Sequence, residues 1–148
     1  MPASSRFAIS IVNEQSAHQV DEARLTAAAL LVLENSEYAS AEISLAVVDD
    51  ATIHRLNRQF LEHDYPTDVL SFALEDDGDH LQGEVILSAD TAAVEAAEAG
   101  WSPSAEQLLY VVHGMLLLVG YRDKAPEESA TMREAERRFL NELGHPMP

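Results

Sequence analysis

The sequence predicts an α+β fold, with a small mixed sheet of about four strands packed with about five helices, and residues 1–148 as a single domain. Three observations carry this. Strand-like and helix-like segments interleave along the chain. Two strand-like segments, 69–75 and 83–90, flank the polar turn "DDGDH" and read as a hairpin. The chain closes in helical patterns, which points to helices packed on a sheet. At 148 residues it is long enough to bury a core unaided.

"RFAISIVN" (6–13) alternates apolar and polar residues, as a half-buried strand does. "VDEARLTAAALLVLENS" (20–36) has helical spacing and good helix formers. "AEISLAVVDD" (41–50) is rich in apolar strand formers and ends in acids, so a second strand is expected. A short helix over 50–61 follows, with Asp50 as its expected N-cap. "EHDYPTD" (62–68) must be a loop, because Pro66 removes a backbone donor and pushes Tyr65 out of helical geometry. After the hairpin, 90–100 reads as a helix capped by Asp90 and closed by Gly100. "SPSAEQLLYVVHGMLLLVG" (102–120) is the central apolar helix: Ser102 suits the N-cap, Pro103 the first turn and Gly120 the stop. Residues 126–144 form an amphipathic helix with acids first and arginines late.

Composition narrows the function classes. With no cysteine, disulfides, thiolate metal sites and cysteine nucleophiles are excluded, and a cytoplasmic setting fits. The N-terminus lacks the pattern of a signal peptide, and no apolar run approaches the ~20 residues that span a bilayer, so no membrane role is expected. The net charge of −17 argues against a general nucleic-acid coat. Lys124 is the only lysine, and such a balance fits a chain adapted to high salt as well as an ordinary acidic protein. Arg55, Arg58, Arg122, Lys124, Arg133, Arg137 and Arg138 would make a local basic patch if the fold joined them. For the last three arginines, pairing with neighbouring acids, such as Glu134 with Arg138, is the simpler expectation.

Three stretches could carry chemistry. In "HGMLLLVGYRDK" (113–124), His113 lies in an apolar helix. A second ligand at i+4 and a third beyond a glycine turn would make a zinc site, but the i+4 residue is Leu117 and the later candidate is Asp123. On the residues alone, a histidine satisfied inside a core helix is the simpler reading. In "LNRQFLEHDYPTDVLSF" (56–72), Thr67 and Asp68 suit a turn or a ligand, and His63 and Asp64 add titratable groups. An ordered loop explains them equally well. In "GEVILSADTA" (83–92), helix capping suffices to explain Asp90. His18, His54, His80 and His145 read as surface residues. There is no Ser-His-Asp order, no glycine-rich phosphate loop and no HExxH, and nothing points to DNA.

Taken together and in order, "LNRQFLEHDYPTDVLSF", "GEVILSADTA", "HGMLLLVGY" and "MREAE" resemble the YbeY family of bacterial proteins, from about Ile43 to Leu140. The resemblance implies a cytoplasmic, metal-dependent, single-strand-specific endoribonuclease of ribosomal RNA maturation and ribosome quality control. It implies one zinc ion, and ribosomal RNA or ribosomal proteins as partners. The family's zinc histidines follow HGxLHLxGYxH. Carried over, the first falls on His113, the second on Leu117 and the third on Asp123. The family's arginine after LNxxY falls on Leu61. The metal ligands expected here are therefore His113 and Asp123, with Thr67, Asp68 and Ser71 framing the cleft. Two acidic or imidazole ligands alone suit a weakly held, hydrated and harder cation as well as zinc. Glu127, Glu128 and His145 lie downstream as alternative third ligands. The other reading is a chain that keeps the fold and binds RNA or the ribosome without hydrolysis.

Overall fold

The computed structural model describes residues 6–61 and 67–148. Of the loop expected over 62–68, residues 62–66, with His63, Asp64 and Pro66, lie outside the described residues. The elements follow the order β1 (Phe7–Asn13), α1 (Glu22–Glu34), β2 (Ser40–Val48), α2 (Asp50–Leu61), β3 (Val69–Asp76), β4 (His80–Ser88), α3 (Ala89–Ala99), α4 (Pro103–Leu118) and α5 (Pro126–Glu142). The sheet order is β1-β2-β4-β3. β1, β2 and β4 run parallel, and β3 pairs antiparallel with β4 through the expected hairpin. Gly78, at φ 91°, supplies the left-handed turn residue.

Side-chain alternation decides which face each strand gives to the main core. Ala41, Ile43, Leu45 and Val47 of β2 point to one face with Leu81, Val85 and Leu87 of β4. Helices α1 and α4 cover that face, and α3 and α5 pack against α4. On the opposite face a smaller cluster of Val48, Ile53, Leu70 and Ile86 seats α2. Helix α4 is buried nearly all round, as an apolar helix without a polar face must be. Among the described residues no helix is long and apolar enough to cross a membrane.

Two capping expectations change. Asp50 is not the cap of α2: the Asp49 carboxylate accepts from the Thr52 N–H at 2.8 Å. Asp50 instead accepts from the Ser88 and Thr91 hydroxyls. Nor does Asp90 cap α3, because Ser88 accepts the Thr91 N–H. Asp90 accepts from the Asp50 N–H at 2.9 Å and lies 2.9 Å from His18 Nε2. Propensity marks a helix start but does not choose between adjacent polar residues; here tertiary partners at the junction of α2, α3 and β4 chose. His18 and His80 are likewise half-buried and engaged, His80 with the Ser40 hydroxyl at 2.7 Å.

Candidate active-site cleft

The position of His113 is set by the residue beside it. Gly114 is where α4 crosses the sheet: a Cβ there would lie 2.6 Å from Val85 Cγ1 and 3.0 Å from Ser71 Oγ. Only glycine permits so close a crossing. Ser71 donates to the Gly114 carbonyl at 2.9 Å and locks the contact. Ser71 therefore acts from β3 as a clamp on α4, one residue from His113.

The end of α4 then turns the chain back. Gly120, at φ 112°, lets the Tyr121 N–H reach the Leu116 carbonyl at 2.9 Å and the Gly120 N–H reach Leu117 at 3.2 Å. This is the paired bonding of a glycine C-terminal cap. The returning segment, 119–125, brings Asp123 to His113, with Asp123 Oδ2 at 3.3 Å from His113 Nε2. The segment is pinned at its far end too: Ser129 Oγ donates to the Asp123 carbonyl at 2.7 Å, and the Ala125 N–H donates to Glu128 at 3.0 Å.

Glu136 completes the arrangement from α5, 2.7 Å from His113 Nδ1. It is nearly enclosed, with 6% of its side chain exposed, and Arg133 Nη1 lies 3.4 Å from its other oxygen. A carboxylate on one ring nitrogen fixes the orientation of the ring and aims the other nitrogen outward. Burial opposes a charge on His113, but Glu136, Asp123 and Asp68 outweigh it, and the imidazole's pKa is raised above its usual 6.5.

These groups share a cleft of about 370 Å³ lined by Asp68, Glu106, Tyr110, His113, Asp123, Arg133 and their neighbours. Of the sequence-predicted residues, Asp68, His113 and Asp123 meet there. Thr67 sits at the entrance of β3, its hydroxyl 3.3 Å from Asp68. Glu127, Glu128 and His145 do not line the cleft, and Glu128 is engaged in the cap of α5. Glu136, Glu106 and Tyr110 were not singled out from the sequence, and Arg133 was named there only as part of a possible basic patch or as a partner for a neighbouring acid. A signal existed for Glu136: it falls on the apolar stripe Met132, Ala135, Phe139 and Leu140 of α5, where an acid needs a buried partner. Glu106 is its counterpart in the first turn of α4. Burial raises its pKa, while the Trp101 indole, donating at 2.6 Å, pulls it back.

The donor set tests the implied zinc. Tetrahedral bonds of about 2.0–2.1 Å place two ligand atoms about 3.3–3.4 Å apart. His113 Nε2 and Asp123 Oδ2 match that spacing. Leu117, half-buried against the core and beside Asp123, brings only hydrocarbon to the third corner. Glu136 is on the other nitrogen and cannot share the ion. Among the described residues no group of three or more His, Asp or Glu is arranged to hold a metal. The described residues do not fit a catalytic zinc.

Residues 10–144 match the family model described as Endoribonuclease YbeY. The Endoribonuclease YbeY of Salinibacter ruber is 36% identical over 149 residues, covering 95% of each chain. That of Syntrophotalea carbinolica is 42% identical over 138 residues, covering 89% of this chain and 92% of its own. That of Rhodopirellula baltica is 46% identical over 108 residues, 72% of this chain but 56% of the relative, whose length this chain spans little more than half. A solution structure from Thermotoga maritima shares the fold, with a TM-score of 0.61 at 24% identity over 93% of this chain and 91% of that one. A family match over nearly the whole length, with relatives 36% and 42% identical over about nine tenths or more of both chains, makes this chain a member of the YbeY endoribonuclease family.

Proposed function

We propose that the chain acts on single-stranded ribosomal RNA in the cytoplasm, as an endoribonuclease of rRNA maturation whose centre is His113. The observation that carries this is the imidazole held at Nδ1 by Glu136 with Nε2 toward the cleft, the arrangement of a group poised to move a proton. Arg133, half-exposed at the same wall, offers a guanidinium for a phosphate, a service the family's arginine would render from the position that is Leu61 here. Asp68 and Asp123 accept hydrogen bonds from ribose or base donors. The donor set among the described residues does not fit zinc, so no step of the reaction is assigned to a metal.

A second reading has its own observation. Leu117 removes a ligand position, and four carboxylates line a cleft meant for a polyanion. The first favours a protein that keeps the fold and its RNA or ribosome contact without hydrolysis; the second repels a phosphate backbone and counts against catalysis and against tight RNA binding in the cleft alike.

Cleavage of single-stranded ribosomal RNA fragments separates the two. For the first reading, wild-type protein cleaves, and His113→Ala loses activity by about 100-fold or more, the scale of acid–base catalysis. The result that overturns it is a wild-type protein that shifts the RNA in a gel and leaves it intact. Arg133→Ala is expected to weaken RNA binding under either reading.

A further inference from the structure

The disagreement between the family's ligand pattern and this chain's donors leads to a structural consequence that does not depend on whether RNA is cleaved. A metal ion ties together the elements that bring its ligands. Here the same role falls to side chains from three elements: His113 from α4, Asp123 from the returning segment 119–125, and Glu136 from α5. We propose that the polar chain Glu136–His113–Asp123, a hydrogen bond at Nδ1 and a close polar contact at Nε2, takes the place of a bound ion, so that the cleft of this protein assembles without metal.

The geometry supports each link. Both ring nitrogens of His113 already face an acceptor, at 2.7 Å for Glu136 and 3.3 Å for Asp123. Glu136 is held in turn by Arg133. Asp123 is delivered by the Gly120 turn and anchored through its carbonyl by Ser129, so it stays in place without a metal to draw it in. Leu117 fits the same scheme. It packs at the edge of the core and lines one recess with Asp123, so the place of a second imidazole is filled by apolar contact. An arriving cation would give up the Asp123 contact and find hydrocarbon at its third corner.

The test uses full-length protein purified without chelator. Its metal content is measured by elemental analysis, and its thermal unfolding is followed with EDTA, with added zinc and with added manganese. Trace metal, and a melting temperature unmoved by chelator or by either ion, are expected. In EDTA, Asp123→Ala should lower the melting temperature by about 4 °C or more. Combining it with His113→Ala should cost less than the two separate losses added together, because both break one chain. Stoichiometric zinc, or a loss of stability in EDTA alone, would overturn the proposal. So would an Asp123→Ala protein in EDTA as stable as wild type. If the alanine variants do not fold, the wild-type metal content and its response to EDTA decide the matter, and Asp123→Asn supplies the milder comparison. RNA cleavage is read separately, so an inactive protein leaves this result intact.

Discussion

Leu117 stands one helical turn beyond His113, where a second imidazole would share its face. The backbone around it is in order: Gly114 seats the helix, and Gly120 returns the chain so that Asp123 meets Nε2. Side-chain chemistry, not scaffold geometry, is therefore what separates this cleft from a zinc site. The double variant Leu117→His, Asp123→His should convert the protein from trace metal to one tightly bound zinc, followed by competition against a chromophoric chelator. A variant that folds and still binds no zinc would show that α4 and the segment 119–125 do not hold zinc-binding geometry. His113 itself was legible as a position worth asking about. Its partner Glu136 was not, because a separation of 23 positions along the chain encodes no distance.

At the scale of elements, the crossing of α4 over β3 and β4 sets the depth of the cleft. Gly114→Ala would force its methyl group toward Val85, a β-branched side chain with little freedom to move, at an expected cost of about 1–3 kcal/mol. Urea unfolding measures that loss, and a drop in RNA binding or cleavage beyond the loss of stability would show His113 displaced. A second junction lies away from the cleft, where the Tyr38 hydroxyl donates to Asp76 at 2.7 Å and ties the start of β2 to the end of β3. Burial, then the hydrogen bond to Asp76 and its charge, push the phenol up to about 12 from 10.0. The unfolded phenol ionises first, so the stability this contact adds is complete below pH 10.0 and is lost as pH rises toward about 12. Asp76→Asn should bring the phenolate absorbance transition of Tyr38 back toward 10.0; an unmoved transition would contradict the assignment.

For the whole molecule, charge is the governing quantity. A net charge of −17 on 148 residues, with one lysine, leaves much of the surface repelling itself. Screening shortens from about 10 Å at 0.1 M salt to about 3 Å at 1 M. The urea midpoint should therefore rise as sodium chloride is added, and a midpoint indifferent to salt would remove self-repulsion as a factor in stability. The basic residues do not gather into one patch. Arg133 lines the cleft, Arg122 and Lys124 lie within the segment 119–125, Arg138 lies over the Phe139 ring, and Arg55 and Arg58 belong to α2 on the other face of the sheet. Arg133 pairs with Glu136, as expected of an arginine with an acid near in sequence.

By itself, the sequence determined the α+β class, the order of elements and most of their limits, because periodicity, glycine stops and the polar turn "DDGDH" act over a few residues at a time. It also determined family membership and placed His113 and Asp123 as a pair, because their separation spans one helix end and one glycine turn. Only the tertiary structure decided that Asp49 and Ser88 cap the helices given to Asp50 and Asp90, that Ser71 clamps α4, and that Glu136 stands behind His113. Each of those rests on a contact between elements distant in the chain or on a choice between adjacent polar residues, and both are settled by which donors and acceptors packing leaves within reach. The raised pKa of His113, its hydrogen bond to Glu136 and its contact with Asp123 belong to that second group, since they come from three elements that meet only when the core has formed.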